Sequence, residues 1–293
     1  MMDITLFRPD NTMSYRITRE EYKIERYERL QHLGTGGFGE VFTVKAKHNG
    51  KIHAIKKCQL NILTAKEKQS IMNESHNLIK LRSEYVIKFY YSWIQNNCLY
   101  ILMDCLAGNL SDVIKAKKKL FGRIMTEFEY YISFNIFKQL VESVKYLHNK
   151  NVIHRDLKPD NVLIDNENNY RYIKLCDFGL SKSVDVLIYR YRQSSAKHTA
   201  DVVQYMAPEG QTTEYNHLID VYSLALIGAK IFGFDSEDIR DGVLNFDFHT
   251  INNFILRRNL SEIYQLLLSM SVSIEYRKID WKLRPECEIL LKL

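Results

Sequence analysis

The sequence predicts an α+β fold of two lobes, a small strand-rich one followed by a larger, mainly helical one. Three observations predict it. Between Tyr27 and Asp104, five segments read as strands around a single helical pattern; from about residue 110 the periodicity turns helical; and no repeat, low-complexity stretch or linker separates the two parts. At 293 residues the chain is long enough to bury a sizeable core. The expected division is an extension over 1–26, a small lobe over about 27–103, a connector over 104–109 and a large lobe over 110–293.

Residues 1 to about 25 are polar, with scattered Arg and Tyr and neither strand nor helix periodicity, so they read as an extension. Tyr27–Leu33 and Glu40–Ala46 read as strands around Gly34-Thr35-Gly36-Gly37-Phe38-Gly39, where missing Cβ atoms let backbone N–H groups approach phosphate oxygens. A dinucleotide-binding turn would need a helix where Val41 to Val44 reads as strand, so the glycine hairpin fits better. In the next strand, Lys51–Lys57, the period of two puts Ile52, Ala54 and Lys56 on one face and Lys57 on the other. Ala54 is small enough to lie over a flat base, with Lys56 pointing the same way. The helical pattern from Ala65 to Leu81 offers Glu74 as the acid that reaches Lys56, with Glu67 second. Val86–Ile94 and Cys98–Asp104 are strands joined by the turn Gln95-Asn96-Asn97. Asp104–Asn109 reads as a connector, with Met103 just before it limiting the depth of any adjoining pocket.

Thr126-Glu127-Phe128-Glu129 spells a capping box ahead of a stripe of Ile132, Ile136, Leu140, Val144 and Leu147, which predicts a long helix with one buried face. Val162–Ile164 and Tyr172–Cys176 are short strands around the turn 165–169. Residues 180–204 lack periodicity and are rich in Ser, Thr and Arg, as in a loop that orders on demand. Helical segments follow from Leu218.

Composition narrows the function classes. The longest apolar runs, such as Val221 to Phe234, are interrupted and too short to cross a bilayer, and Met1 to Asp10 lacks the features of a secretory signal, so a cytoplasmic or nuclear address is expected. Five scattered cysteines without a C-x-x-C pair argue against a disulfide framework and structural zinc. Net charge is +6, and the lysines of 115–119 read as a solvated helix end rather than a nucleic-acid surface.

The chemistry is concentrated in His154-Arg155-Asp156-Leu157-Lys158-Pro159-Asp160-Asn161 and, one hairpin later, Cys176-Asp177-Phe178-Gly179. These runs supply a base (Asp156), a cation for a transferring phosphoryl group (Lys158) and two oxygen ligands for magnesium (Asn161 and Asp177). An Asp/Asn-rich turn is the plain alternative, and it does not explain both runs in order at this spacing.

Taken together, Gly34-x-Gly36-x-x-Gly39-x-Val41, Ala54-Ile55-Lys56, Glu74, His154-Arg155-Asp156, Asp177-Phe178-Gly179 and Ala207-Pro208-Glu209 resemble the eukaryotic protein kinase family over about residues 27–293. Lys158, two positions after Asp156, resembles the serine/threonine branch. Asp220 resembles the acid that anchors the catalytic loop, and Arg284 the partner of Glu209. Tyr90-Tyr91-Ser92-Trp93 with Leu99–Cys105 is similar to kinases of the alpha subunit of translation initiation factor 2, and less closely to Wee-type kinases. The long acidic insert many of those carry between these strands is replaced by Gln95-Asn96-Asn97. Asp201-Val202-Val203-Gln204 stands where the family usually has Gly-Thr, the large lobe is short between Phe234 and Ile263, and Ala225 replaces a common glycine.

The resemblance implies a two-lobed kinase fold, with ATP between the lobes and Mg²⁺ on Asn161 and Asp177. ATP would contact Leu33, Gly34, Thr35, Gly36, Gly37, Phe38, Gly39, Val41, Ala54, Lys56, Met103, Asp104, Cys105 and Leu163. Catalysis would rest on Asp156, Lys158, Lys56 and Glu74. It also implies a protein substrate with a Ser or Thr acceptor, a dimer for autophosphorylation, and a regulatory phosphate received by Arg155, with Arg190, Arg192 and Lys197 adding charge; of Ser194, Ser195 and Thr199, Thr199 is the first candidate because it lies nearest Ala207-Pro208-Glu209. Neither a membrane nor a nucleic acid is expected as partner. The competing reading is a kinase-shaped scaffold that binds nucleotide or partners without turnover; retention of Lys56, Asp156 and Asp177 argues against it, and only the altered Val202 region favours it.

Overall fold

The computed structural model describes residues 6–7, 23–36, 39–121, 125–165, 172–183, 204–212, 215–273 and 280–292. They fall into two compact units: one runs to Leu106 and takes in Asp177–Leu180, the other comprises Ala107–Cys176 and the chain from Ser181 onward.

The first unit is an antiparallel sheet with one helix. Its elements are β1 (Leu6–Phe7), β2 (Tyr27–Gly36), β3 (Gly39–Ala46), β4 (Ile52–Gln59), α1 (Ala65–Lys80), β5 (Phe89–Gln95) and β6 (Cys98–Asp104), arranged in the order β1-β5-β6-β4-β3-β2. Five strands are those expected. The turn between β5 and β6 holds Asn96 and Asn97 at φ of 50° and 57°, left-handed values that asparagine tolerates and that a two-residue hairpin turn requires.

Phe42, Val44, Ile55, Trp93, Tyr100 and Leu102 form an aromatic-rich core with Trp93 stacked on Tyr100 at 5.1 Å. Strand alternation puts Ile55 opposite Ala54 and Lys56, so this core lies on the face of the sheet away from Lys56. It is here that the reading of 1–26 as an extension needs correction. Leu6–Phe7 pairs with Trp93 and Ser92 as a sixth strand. The helical turn Ile24–Arg26 is tied on by Ile24 N donating to Gln95 Oε1 at 3.0 Å and Gln95 Nε2 donating to Glu25 Oε1 at 2.9 Å. Two residues of pairing and three of helical turn leave no periodic signal.

In α1, Thr64 and Glu67 close a reciprocal capping box. Glu67, the second candidate for Lys56, is thereby committed to the helix N-terminus, where its charge also meets the helix dipole.

The second unit contains β7 (Gly108–Asn109), α2 (Leu110–Phe121), α3 (Glu127–Asn149), β8 (Val152–Ile153), β9 (Val162–Ile164), β10 (Ile173–Leu175), β11 (Lys182–Ser183), α4 (Leu218–Phe232), α5 (Ser236–Asp241), α6 (Phe254–Met270) and α7 (Cys287–Leu290). α4 is its centre. Every residue of this helix except Lys230 is buried, as an apolar sequence without a polar face demands. A Cβ on Gly228 would lie 2.6 Å from Leu267 and 2.8 Å from Phe137, so glycine there lets α3 and α6 close on α4.

Three further expectations are corrected. The connector contains a strand, Gly108–Asn109, paired with Ile164 and Leu163, and the loop after Leu180 begins with a strand, Lys182–Ser183, paired with Ile153 and Val152. Residues 184–203, including Thr199 and Val202, lie outside the described residues. Lys117 is not part of a solvated helix end: it is 8% exposed, and its Nζ donates to Ser133 Oγ at 2.5 Å and Ile231 O at 2.6 Å, with Glu129 Oε1 at 3.3 Å. That cation also explains why the capping box at Thr126 is half-made. Thr126 Oγ1 accepts from Glu129 N at 3.1 Å, while the Glu129 carboxylate is taken by Lys117. Burial lowers the Lys117 pKa and Glu129 partly restores it. Lys117→Met keeps the length of the side chain but strands Glu129 in the interior, so urea unfolding should show a loss of about 3–5 kcal/mol. Lys118→Met, on the exposed side of α2, should change stability by about 0.5 kcal/mol or less.

Candidate active site

In the first unit the site is built around β4. Ala54 is 4% exposed, Lys56 6%, and Met103 is the cross-strand partner of Ala54. Lys56 Nζ donates to Glu74 Oε2 at 2.8 Å, to Glu74 Oε1 at 2.9 Å and to Asp177 Oδ1 at 2.9 Å. Lys57 is turned away to Glu40 at 3.2 Å. The strand register read from the sequence and the choice of Glu74 over Glu67 match these contacts.

Burial works against the charge on Lys56, but Asp177 and Glu74 outweigh it and hold its pKa well above the usual lysine value. Glu74 responds oppositely: burial, with Asp177 adding to it, pushes its carboxyl up to about 7 despite Lys56. A carboxyl with a raised folded pKa takes up a proton between its unfolded value and about 7. Its contribution to stability is therefore present at low pH and lost as pH rises through about 7, whereas its hold on Lys56 is lost as pH falls. Between pH 8 and 6 the thermal midpoint should rise while nucleotide affinity falls. Glu74→Gln should flatten both profiles, which calorimetry and nucleotide titration across this range will check.

The glycines divide their work. Among the described residues nothing stands within 4 Å of a Cβ placed on Gly34, so they leave the space above it open. A Cβ on Gly39 would lie 2.0 Å from Lys57 O, so the close approach of β3 to β4 by itself requires glycine there. Leu33 and Thr35 are exposed on β2, Val41 is half-buried on β3, and Gly36 ends β2 paired with Gly39. Gly37 and Phe38 lie outside the described residues. At the other end of the unit Asp104 and Cys105 are half-buried, and Asp104 accepts from Tyr90 Oη at 2.5 Å.

In the second unit, Asp156 Oδ2 accepts from Asn161 Nδ2 at 3.0 Å and lies 3.5 Å from Lys158 Nζ. Asn161 Nδ2 also donates to Asp156 O at 2.8 Å, so one side chain fixes both backbone and carboxylate of the expected base. Leu163, on β9, pairs with Asn109. The loop that presents Asp156 is held from below by Asp220, which is fully buried and accepts from His154 N at 2.9 Å, Arg155 N at 2.9 Å and His148 Nε2 at 3.0 Å. Burial alone would raise the Asp220 pKa; the His148 bond and the neighbouring donors outweigh it and keep the carboxyl below its usual value. Arg155 needs that grip, because its φ of 71° is a left-handed conformation an unsupported arginine avoids. Asp177 in the first unit has the same character, with φ of 60°.

Arg155 also places its guanidinium 5.5 Å from the centre of the Tyr215 ring. Arg284 clamps Glu209 with two parallel hydrogen bonds, Nη2 to Oε2 at 3.0 Å being one, and adds Nε to Val272 O at 2.7 Å. The pairings of His148 with Asp220 and of Tyr90 with Asp104 escaped the sequence reading. His148 is 72 positions from Asp220 and Tyr90 only 14 from Asp104, but neither pairing has a periodic or motif signature.

The donor set suits a magnesium nucleotide. Among the described residues no group of three or more His, Cys, Asp or Glu could hold a metal unaided, while Asp177 in the first unit and Asn161 in the second are each a hard oxygen donor of the kind that binds Mg²⁺ already carried on phosphate. A buried, doubly paired lysine and the open space over Gly34 match the anionic part of such a ligand.

The protein kinase domain family matches residues 27–237, and the chain belongs to that family. Among curated proteins it is 33% identical over 207 residues to a probable serine/threonine-protein kinase nek3 of Dictyostelium discoideum, covering 70% of this chain and 18% of that one. It is 29% identical over 278 residues to the interferon-induced, double-stranded RNA-activated protein kinase of Rattus norvegicus, covering 86% of this chain and 52% of that one. Serine/threonine-protein kinase Nek2 of Mus musculus is 33% identical over 214 residues, 70% of this chain and 46% of its own. The chain thus spans from under a fifth to about half the length of these three relatives. In the described residues no helix is long and apolar enough to cross a membrane.

Proposed function

We propose that this chain transfers the ATP γ-phosphate to serine or threonine hydroxyls of proteins. The observation that carries the proposal is the buried Lys56 paired to both Glu74 and Asp177, in a chain that also keeps Asp156, Lys158 and Asn161 in one bonded cluster. Lys56 binds the α/β-phosphates, and Glu74 fixes its position. Asp156 orients the acceptor hydroxyl and accepts its proton, while Asn161 keeps the Asp156 carboxylate aimed. Lys158 offsets charge on the moving phosphoryl group. Asn161 and Asp177 would hold Mg²⁺, which would neutralise charge on the phosphate oxygens. Positioning and electrostatics supply most of the acceleration.

The acceptor we propose is the alpha subunit of translation initiation factor 2, on the resemblance of Tyr90–Trp93 and Leu99–Cys105 to kinases of that subunit. In support, the interferon-induced, double-stranded RNA-activated kinase aligns over 86% of this chain. Control is proposed to come from a phosphate on Thr199 received by Arg155, since arginine pairs with phosphate at charge-assisted strength. A side-by-side assay tests the substrate: the alpha subunit should be phosphorylated on serine or threonine faster than a generic basic protein at equal concentration. An unmodified alpha subunit beside strong labelling of the generic acceptor contradicts the substrate and leaves the kinase reading standing.

A further inference from the structure

Asp220 fixes the backbone that carries Asp156, so whatever fixes Asp220 bears on the proposed reaction. Its third donor, His148, comes from the last turn of α3. The other ring nitrogen, Nδ1, faces Cys287 Sγ at 3.9 Å, and the ring meets His217 edge-on at 4.8 Å between centroids. His217 Nε2 in turn pairs with Glu286 Oε2 at 2.7 Å. Glu286 and Cys287 directly follow Arg284 and Pro285, and Arg284 clamps Glu209. Four consecutive residues therefore hold the end of the segment at Glu209 and, through two histidines, the back of the catalytic loop.

We propose that Cys287 is a positioning residue for this loop, its S–H directed at His148 Nδ1 so that Nε2 carries the proton donated to Asp220. The chemistry is self-consistent. An ionised Asp220 can only accept, which requires a proton on His148 Nε2 and leaves Nδ1 an acceptor in that tautomer. Burial, with Asp220 and Glu286 adding to it, raises the Cys287 pKa, so the sulfur keeps the proton it has to offer. At 3% exposure the thiol is shielded from competing water, and the His217 ring, braced by Glu286, limits rotation of the His148 ring. Partners that fix the far nitrogen of a functional histidine act in this way elsewhere. A role in the rate rests on the kinase reading above; the effect on the loop does not.

Two variants of the whole chain separate positioning from packing. Cys287→Val keeps the apolar volume and removes the donor, whereas Cys287→Ser keeps a donor. Amide hydrogen exchange, read at His154 and Arg155, should be about tenfold faster in Cys287→Val and close to wild type in Cys287→Ser. In the steady state, Cys287→Val should lower kcat about three- to tenfold with KM for ATP within about twofold of wild type, and Cys287→Ser should recover most of it. In a His148→Leu background, Cys287→Val should add nothing further. Unchanged exchange at both amides in Cys287→Val overturns the proposal, as does a serine variant as impaired as the valine one. If the wild type transfers no phosphate yet exchange responds as expected, the kinase reading fails and the positioning role stands.

Discussion

Lys56→Ala is expected to lower phosphoryl transfer by about a hundred- to a thousandfold, and Lys57→Ala to leave it within about twofold. Adjacent lysines differ so much because the pleat sends them to opposite faces of β4, one into a buried pairing with Glu74 and Asp177, the other to Glu40. The loss should be of function rather than of fold. Removing Lys56 leaves Glu74 buried, but its carboxyl already titrates at about 7 and without the lysine protonates more readily, so an uncompensated buried charge is avoided. Steady-state assays with a thermal scan of each variant check this. The reverse ranking of the two lysines would contradict the site as described.

Asp220→Ala is the second large effect, and it acts without touching ATP. It removes the acceptor of His154 N, Arg155 N and His148 Nε2 together. The left-handed conformation of Arg155, which costs about 1–3 kcal/mol, then has little to sustain it, and the loop relaxes toward ordinary backbone. A displacement of Asp156 by about 1 Å is enough for a hundredfold fall in kcat. Nucleotide affinity, which depends on Lys56 and its partners in the other unit, should stay within about twofold of wild type. Kinetics beside nucleotide titration will separate the two; an equal loss of affinity and turnover contradicts the anchoring role.

What was legible in the sequence follows the physics of each feature. The strands β2 to β6 and helices α1 and α3 announce themselves through alternation, turn residues and apolar stripes, and Glu74 could be chosen because a helix turns a limited set of residues toward a strand. The pairings of β1, β7 and β11 could not be read, since a two-residue strand is held by backbone bonds that any sequence supplies. Lys117 was misread for a different reason: a run of lysines reports charge density, not which one of them finds Ser133, Glu129 and the Ile231 carbonyl inside the unit. In the site, the motif residues were legible by type and spacing, while His148, Cys287 and Tyr90 act through contacts that no spacing encodes. Gly39 shows a motif residue retained for a second reason, the carbonyl of Lys57 in its path.

The central claim is that the bonded cluster of Asp156, Lys158 and Asn161, together with Lys56, Glu74 and Asp177, performs phosphoryl transfer. The most direct measurement incubates the purified chain and its Asp156→Asn form with Mg²⁺ and γ-labelled ATP, with and without protein acceptors, and maps labelled residues by mass spectrometry. Phosphoserine or phosphothreonine from the wild type, at a rate at least about a thousandfold above Asp156→Asn, is the predicted result, with both forms binding nucleotide equally. Tight nucleotide binding by both with no more transfer from the wild type than from Asp156→Asn would contradict it and make the chain a nucleotide-binding scaffold.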